Sequence, residues 1–209
     1  MSFFTTYSTK LENLIAVVIF LITFAVYFST MAPTVSFWDT GEFIATSHIL
    51  GVPHPPGSPL FLLVGKFFSL IPISSDIAYR VNIFSPIISA LTISLLFLIC
   101  NQFINRLEPK DSNKFFKMWS SLTASLTFAF THSHWFNAVE TEVYAFSGFM
   151  TALVIYLIMR WSEKMHNSDH VIYLIFISYI IGLATGLHLL NLLTIPFIGL
   201  IIYLSLIHI

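Results

Sequence analysis

Apolar runs alternate with short polar breaks along nearly the whole chain. A helix that crosses a bilayer needs about 20 mostly apolar residues. Leu14 to Met31 reaches that class, as do Ala78 to Ile104, Val143 to Met159 and Val171 to Leu190. Trp119 to Phe130 reaches it once its flanks from Met118 to Trp135 are included, and another run opens at Leu192. The expected fold class is all-α. The pattern predicts a polytopic integral membrane protein of about six helices, forming a single transmembrane domain over residues 1–209.

One apolar segment does not fit. Pro59 to Ile73 is short and carries Lys66 in its middle. Segments of roughly 10–14 residues more often re-enter the membrane or lie in its interface than cross it. Charge arbitrates. Lys10 precedes the first run, Arg106, Lys110, Lys114 and Lys117 crowd one loop, and Arg160 and Lys164 occupy another. Short basic loops face the cytoplasm. All three basic regions share one side only if Pro59–Ile73 does not span. The N-terminus is then cytoplasmic, and residues 32–77 form a long outer loop with interfacial or re-entrant helices.

Composition agrees with this layout. The chain has 209 residues, of which 56% are hydrophobic and 9% charged, and its mean hydropathy is +0.85. A soluble domain would carry about 25% charged residues. The net charge of −1 excludes nucleic acid as an expected partner. The single cysteine, Cys100, rules out a disulfide within one chain. No small-residue cleavage signature follows the first apolar run, so a retained signal-anchor helix is expected. The chain stops within an apolar run, and its last six residues, 204–209, match a translated sequencing adapter. A truncated fragment with a non-native tail is expected.

The topology gathers the titratable groups. Asp39, Glu42, His48 and His54 fall on the outer face, with His132, His134, Glu140 and Glu142 between the third and fourth helices. His188 and Asn191 join them at the end of the fifth. Such a gathering points to a functional site. Each candidate has a plainer reading beside it. Asp39 and Glu42 share one helix face at i, i+3. They serve either as a general base with a supporting carboxylate or as first-turn acids matched to the helix dipole, with Thr34 or Ser36 as cap. His54-Pro55-Pro56-Gly57-Ser58-Pro59 is too proline-rich for helix. It either presents His54 to a ligand or is a stiff connector. The His132-x-His134 spacing is a weak metal signal beside Glu140 and Glu142. An interfacial aromatic and histidine belt is the alternative, so a divalent metal is disfavoured and no cofactor is expected. Glu140, Thr141 and Tyr144 lie at helical spacing, while Glu142 opens the fourth helix. Lys66 and Arg80 are the outer-side cations available to a phosphate, although Arg80 could equally snorkel from a helix end. His188 and Asn191 follow Gly182-x-x-x-Gly186, whose glycines permit close helix approach.

These residues carry a resemblance. The run Ala32-Pro33-Thr34-Val35-Ser36-Phe37-Trp38-Asp39-Thr40-Gly41-Glu42-Phe43, followed by Gly51-Val52-Pro53-His54-Pro55-Pro56-Gly57-Ser58-Pro59-Leu60, resembles the GT-C glycosyltransferases. Within them it is similar to the protein O-mannosyltransferase-like family. His134-Trp135 through Glu140-Thr141-Glu142-Val143-Tyr144-Ala145 matches a second block of that family, and Gly186-Leu187-His188 through Asn191 a third. The family's members are considerably longer.

The resemblance implies a GT-C-like N-terminal transmembrane module in a bacterial inner (plasma) membrane. It implies a glycosyltransferase that moves a sugar, mannose by analogy, from a polyprenyl-phosphate donor at the outer face. The acceptor would be a hydroxyl of a protein Ser or Thr or of a glycan, transferred with inversion. Asp39 would be the base and Glu42 its partner. Trp38, His54, Lys66, Arg80, His132, His134, Glu140, Glu142, Tyr144, His188 and Asn191 would bind substrate. The rival classes are a transporter or lipid flippase and a non-catalytic membrane scaffold. A transporter keeps ionisable groups near the bilayer midplane, whereas here they cluster at one surface.

Overall fold

The computed structural model describes residues 10–107, 113–165 and 170–207. Lys110, in the basic loop, and the tail residues His208 and Ile209 lie outside the described residues. Among those described, every regular element is helical: α1 Lys10–Ser29, α2 Thr40–Ile49, α3 Pro59–Leu70, α4 Ile77–Asn82, α5 Phe84–Leu107, α6 Lys114–Ala129, α7 His132–Ala138, α8 Val143–Lys164, α9 His170–Thr185 and α10 Thr194–Ile207, with a 3₁₀ segment at Leu189–Leu193 before α10. The chain is an all-α polytopic membrane protein.

Among the described residues, four stretches are long and apolar enough to cross a membrane: α1, the nearly continuous α4–α5 unit, α8, and the 3₁₀ segment with α10. The sequence-predicted third and fifth spans are shorter than expected. α6 and α9 have 16 residues each, or about 24 Å of helix. α9 stops at Thr185 because the chain turns at Gly186 and Leu187 and re-forms as the 3₁₀ segment. Gly182 meets nothing within 4 Å of an added Cβ, so it is not a close helix approach, whereas Gly186 lies beside Pro59 of α3. α3 has 12 residues, about 18 Å. That is shorter than the hydrocarbon core of a bilayer, about 30 Å.

The helices run up and down, and α5 is the central post, packing on α1, α6 and α8. α8 carries α9 and α10 on its other flank. One end of the bundle collects the end of α1, the start of α5, the end of α6 and the start of α8. Tyr27 donates to the Ala129 carbonyl (2.9 Å), Trp135 Nε1 to Thr30 Oγ1 (3.1 Å) and the Ala32 amide to the Val139 carbonyl (2.8 Å). The opposite end holds the charged residues of α5 and α8. Gln102 donates to Glu163 (2.5 Å), Arg160 pairs with Glu163 (3.0 Å), and Arg106 donates to the Met159 carbonyl (2.7 Å).

α2 and α3 pack side by side over the first end, with Phe43 on Phe61, Ser47 beside Gly65 and His48 beside Ser69. α2 buries Thr40, Phe43, Ile44 and Ser47, a single stripe at helical spacing, and leaves Glu42 outside. α3 begins on Pro59, where a missing amide hydrogen costs nothing. It buries Phe61, Leu62, Gly65 and Ser69 against α2. Edge-to-face rings continue the packing inward, from Phe43 to Phe61 (5.4 Å), Phe84 (6.2 Å) and Phe146 (5.1 Å). Each such pair adds about 0.5–1.5 kcal/mol beyond its buried area. α2 is thereby fixed to α3, α5 and α8 in turn.

Candidate functional site

The loop from α1 to α2 delivers the acidic motif. Trp38 is 84% exposed and adopts φ 60°, a left-handed conformation that costs a side-chain-bearing residue on the order of 1–3 kcal/mol and clusters at functional sites. The reversal places Asp39 at the N-cap of α2. Neither Thr34 nor Ser36 caps this helix. Asp39 makes no side-chain cap hydrogen bond, and its carboxylate stays exposed.

Glu42 lies in the first turn of α2 and grips the proline-rich loop. It accepts from the His54 amide (2.7 Å) through Oε1 and faces His54 Nδ1 (2.7 Å) through Oε2. The imidazole packs edge-on against Phe43. The hydrogen bonds from His54 hold the Glu42 carboxyl below its usual range, and Glu42 in turn raises the His54 imidazole. Ligating atoms of Asp39, Glu42 and His54 all lie within 4.8 Å of one another. His54 Nδ1 already faces Glu42, so the arrangement reads as an ion pair beside a free carboxylate.

A second acidic loop meets the first. Val139 to Glu142 separates α7 from α8, and Glu142 is the extended N-cap of α8. The helical spacing expected for Glu140, Thr141 and Tyr144 is therefore absent, because helix begins only at Val143. Glu140, Thr141 and Glu142 are all buried. Ser36 Oγ donates to Glu140 Oε2 (2.5 Å), and Glu140 Oε1 is buried without a partner. Burial pushes the Glu142 carboxyl up to about 7, helped by the charges of Glu140 and Asp39 and opposed by His54. A carboxyl near neutrality suits proton handling.

The other expected residues divide. Tyr144, on the first turn of α8, packs its exposed ring against His188 (5.3 Å between centroids). Asn191 is buried, accepting from Thr151 and donating to Ser147 and the His188 carbonyl. Lys66 donates to the His48 carbonyl (2.5 Å) at the end of α2, and Arg80 donates to the carbonyls of Ser74 (2.6 Å) and Ser69 (3.1 Å). Both cations are thus tied to the α2–α4 loops. His134 packs on Phe128 and Tyr27, and burial lowers its imidazole to about 4. It is a neutral, enclosed histidine. His132 is exposed at an apolar cleft of about 440 Å³ lined by Phe130, Trp135, Phe136 and Val139. The His-x-His pair is therefore split between a packed interior and an open cleft.

Asn82 was not among the residues expected from the sequence. It is the last residue of α4, fully buried, and it joins both acidic loops. Its Nδ2 donates to the carbonyls of Ala32 (2.9 Å) and Thr34 (3.0 Å), and its Oδ1 accepts from Thr141 Oγ1. An asparagine in an otherwise apolar span was the available hint.

Comparison with known proteins adds to this geometry. The family model described as "Protein O-mannosyl-transferase TMEM260 N-terminal domain" matches residues 39–208. A relative from Dictyostelium discoideum named "Protein O-mannosyl-transferase tmem260" is 28% identical over 202 residues, covering 90% of this chain and 23% of its own length. "Protein O-mannosyl-transferase TMEM260" of Mus musculus is 31% identical over 149 residues, covering 71% of this chain and 20% of its own. The chain spans less than a quarter of the length of these curated relatives. Both are eukaryotic and give no support to the bacterial membrane expected from the sequence. No solved structure matches.

Proposed function

From a chain that belongs to the TMEM260 N-terminal-domain family, we propose a membrane glycosyltransferase module of the GT-C type. Its donor is a polyprenyl-phosphate sugar, with mannose taken from the relatives' names. Its acceptor is a hydroxyl of a protein Ser or Thr. The observation that carries this reading is the meeting of Asp39, the Glu42–His54 pair and the buried Glu140 and Glu142 at one end of the bundle.

In this mechanism Asp39 takes the acceptor proton while the hydroxyl oxygen bonds to the anomeric carbon. The bond from that carbon to the phosphate oxygen breaks, and the electron pair leaves with the lipid phosphate. Attack opposite the leaving group inverts the configuration. His54, raised toward its protonated form by Glu42, stabilises the departing phosphate. Glu42 orients His54. Trp38 offers an exposed ring face beside Asp39 for the sugar or the acceptor. The lipid tail remains in the bilayer throughout, which suits a site at the end of a helical bundle. The basic residues at the opposite end support a cytoplasmic placement for that end, leaving the site on the outer or lumenal side.

A positioned base contributes about 10²–10⁴-fold. Asp39→Asn in the full-length protein, assayed in vesicles with labelled polyprenyl-phosphate mannose, is expected to lose at least about 10²-fold while inserting normally. Near-normal transfer by that variant sinks the assignment.

A further inference from the structure

Asn82 occupies an unusual place. Three of its hydrogen bonds reach residues 48 to 59 positions away in the chain. Two go to the loop that ends in Asp39, and one goes to the residue between Glu140 and Glu142. Both amide hydrogens and the carbonyl oxygen are thereby engaged, which nearly exhausts an asparagine's capacity. Its side chain is fully buried, so no water substitutes for these bonds. The same two loops are joined again by Ala32 to Val139 and by Ser36 to Glu140. Asn82 stands on a third element, α4, and ties the pair to the α5 post.

The link bears on charge. Glu142 is faced by Glu140 from its own loop, by Asp39 from α2 and by His54 from the proline-rich loop. Glu42, also on α2, is neutralised by His54. Burial is the largest cause of the raised Glu142 carboxyl, and the charge of Glu140 adds to it. A neutral Glu142 also matters to a donor that brings a negative phosphate, because a second buried carboxylate would repel it.

We propose that Asn82 is a positioning residue: through Thr141 it holds the loop of Glu140 and Glu142 against the loop that delivers Asp39, shaping the site that an anionic donor headgroup enters. This rests on the reading of Asp39 as the base of a lipid-phosphate-sugar transferase.

The test uses the full-length protein in vesicles containing polyprenyl-phosphate mannose, with the donor KM followed against pH. In the wild type, KM rises as Glu142 ionises above about pH 7. Glu142→Gln, which cannot ionise, is expected to flatten that rise. Thr141→Val and Asn82→Ala loosen the brace and hydrate Glu142. The rise then begins at lower pH, and a one-unit displacement appears as roughly tenfold higher KM near neutrality. The change falls on KM rather than kcat. Thr141→Ser, which keeps the hydroxyl, restores the wild-type curve. Infrared titration of the Glu142 carboxyl, read as wild type minus Glu142→Gln, follows the same order with no substrate present. A Thr141→Val protein with the wild-type titration overturns the proposal. So does one whose only defect is a lower yield of folded protein. Normal transfer by Asp39→Asn instead removes the assigned function while leaving the infrared result to stand or fall alone.

Discussion

The crossing of α2 over α3 depends on Gly65. A Cβ built there would lie 2.8 Å from Ser47 Cβ and would also strike Ser47 Oγ. Carbon atoms rest at about 3.5–4.0 Å, so Gly65→Ala must part the helices by about 0.7–1.2 Å at that point. Ser47 is fully buried, and its hydroxyl has no hydrogen-bond partner to guide it elsewhere. Overpacking of this kind costs about 1–3 kcal/mol. Alanine returns roughly 0.5–1 kcal/mol through helix propensity, leaving a net loss of up to about 2.5 kcal/mol. Removing Ser47's side chain should relieve the clash. The assay is a double-mutant cycle of Gly65→Ala and Ser47→Gly, read by denaturant unfolding in micelles. A favourable coupling of at least about 1 kcal/mol is expected. Transfer activity should follow, because α2 carries Glu42 and a displacement of about 1 Å near reacting groups can lower rates 10²-fold. A cycle that couples by less than about 0.5 kcal/mol would show that the crossing is not set by this contact.

Two further outcomes concern titration. The folded Glu142 carboxyl binds its proton up to about pH 7, against an ordinary value of 4.5, so the folded state holds that proton more tightly than the unfolded one. Stability attributable to Glu142 is therefore full at acid pH and is lost as pH rises through this window, by at most about 3 kcal/mol. Unfolding measured across the window should slope for the wild type and flatten for Glu142→Gln; equal slopes would contradict the burial argument. His54 should titrate above the ordinary imidazole range in a histidine NMR experiment and move down in Glu42→Gln. An unmoved resonance would mean that the pair does not form.

The helices were legible because the apolar runs are long and the breaks between them polar. The shortness of the Pro59–Leu70 helix was legible from the length of its apolar run. The acids at Asp39 and Glu42 stood out because charge is scarce in this chain. What the pattern could not supply was pairing. Glu140 and Glu142 read as the opening of a helix, yet Glu140, Thr141 and Glu142 precede it as an extended loop whose residues bond to Ser36 and Asn82. Those contacts span 59 residues or more in sequence, beyond the reach of any helical period. His134 was misleading for the same reason: its neighbours Tyr27 and Phe128 come from other helices. Lys66 and Arg80 suggested phosphate ligands by charge alone, whereas backbone carbonyls at loop ends satisfy them locally.

The two ends of the bundle are mechanically connected through α5 and α8. Asn82 stands on the α4–α5 unit at the site end, and Gln102 and Arg106 stand on the same unit about 30 Å away. Glu142 heads α8, and Arg160 and Glu163 lie near its tail. At that far end, Gln102 and Arg106 of α5 grip Glu163, Met159 and Ser162 of α8. α5 and α8 are thus clamped together twice: by side chains at the basic end, and by Asn82 and Thr141 at the acidic end. A buried ion pair adds little net stability on its own, but it does fix register. A one-residue slip of α8 along α5 would shift Thr141 by about 1.5 Å relative to Asn82, enough to break the brace. The far clamp therefore bears on how the Glu140–Glu142 loop seats against the loop of Asp39, although its residues stand at the other end of α5 and α8.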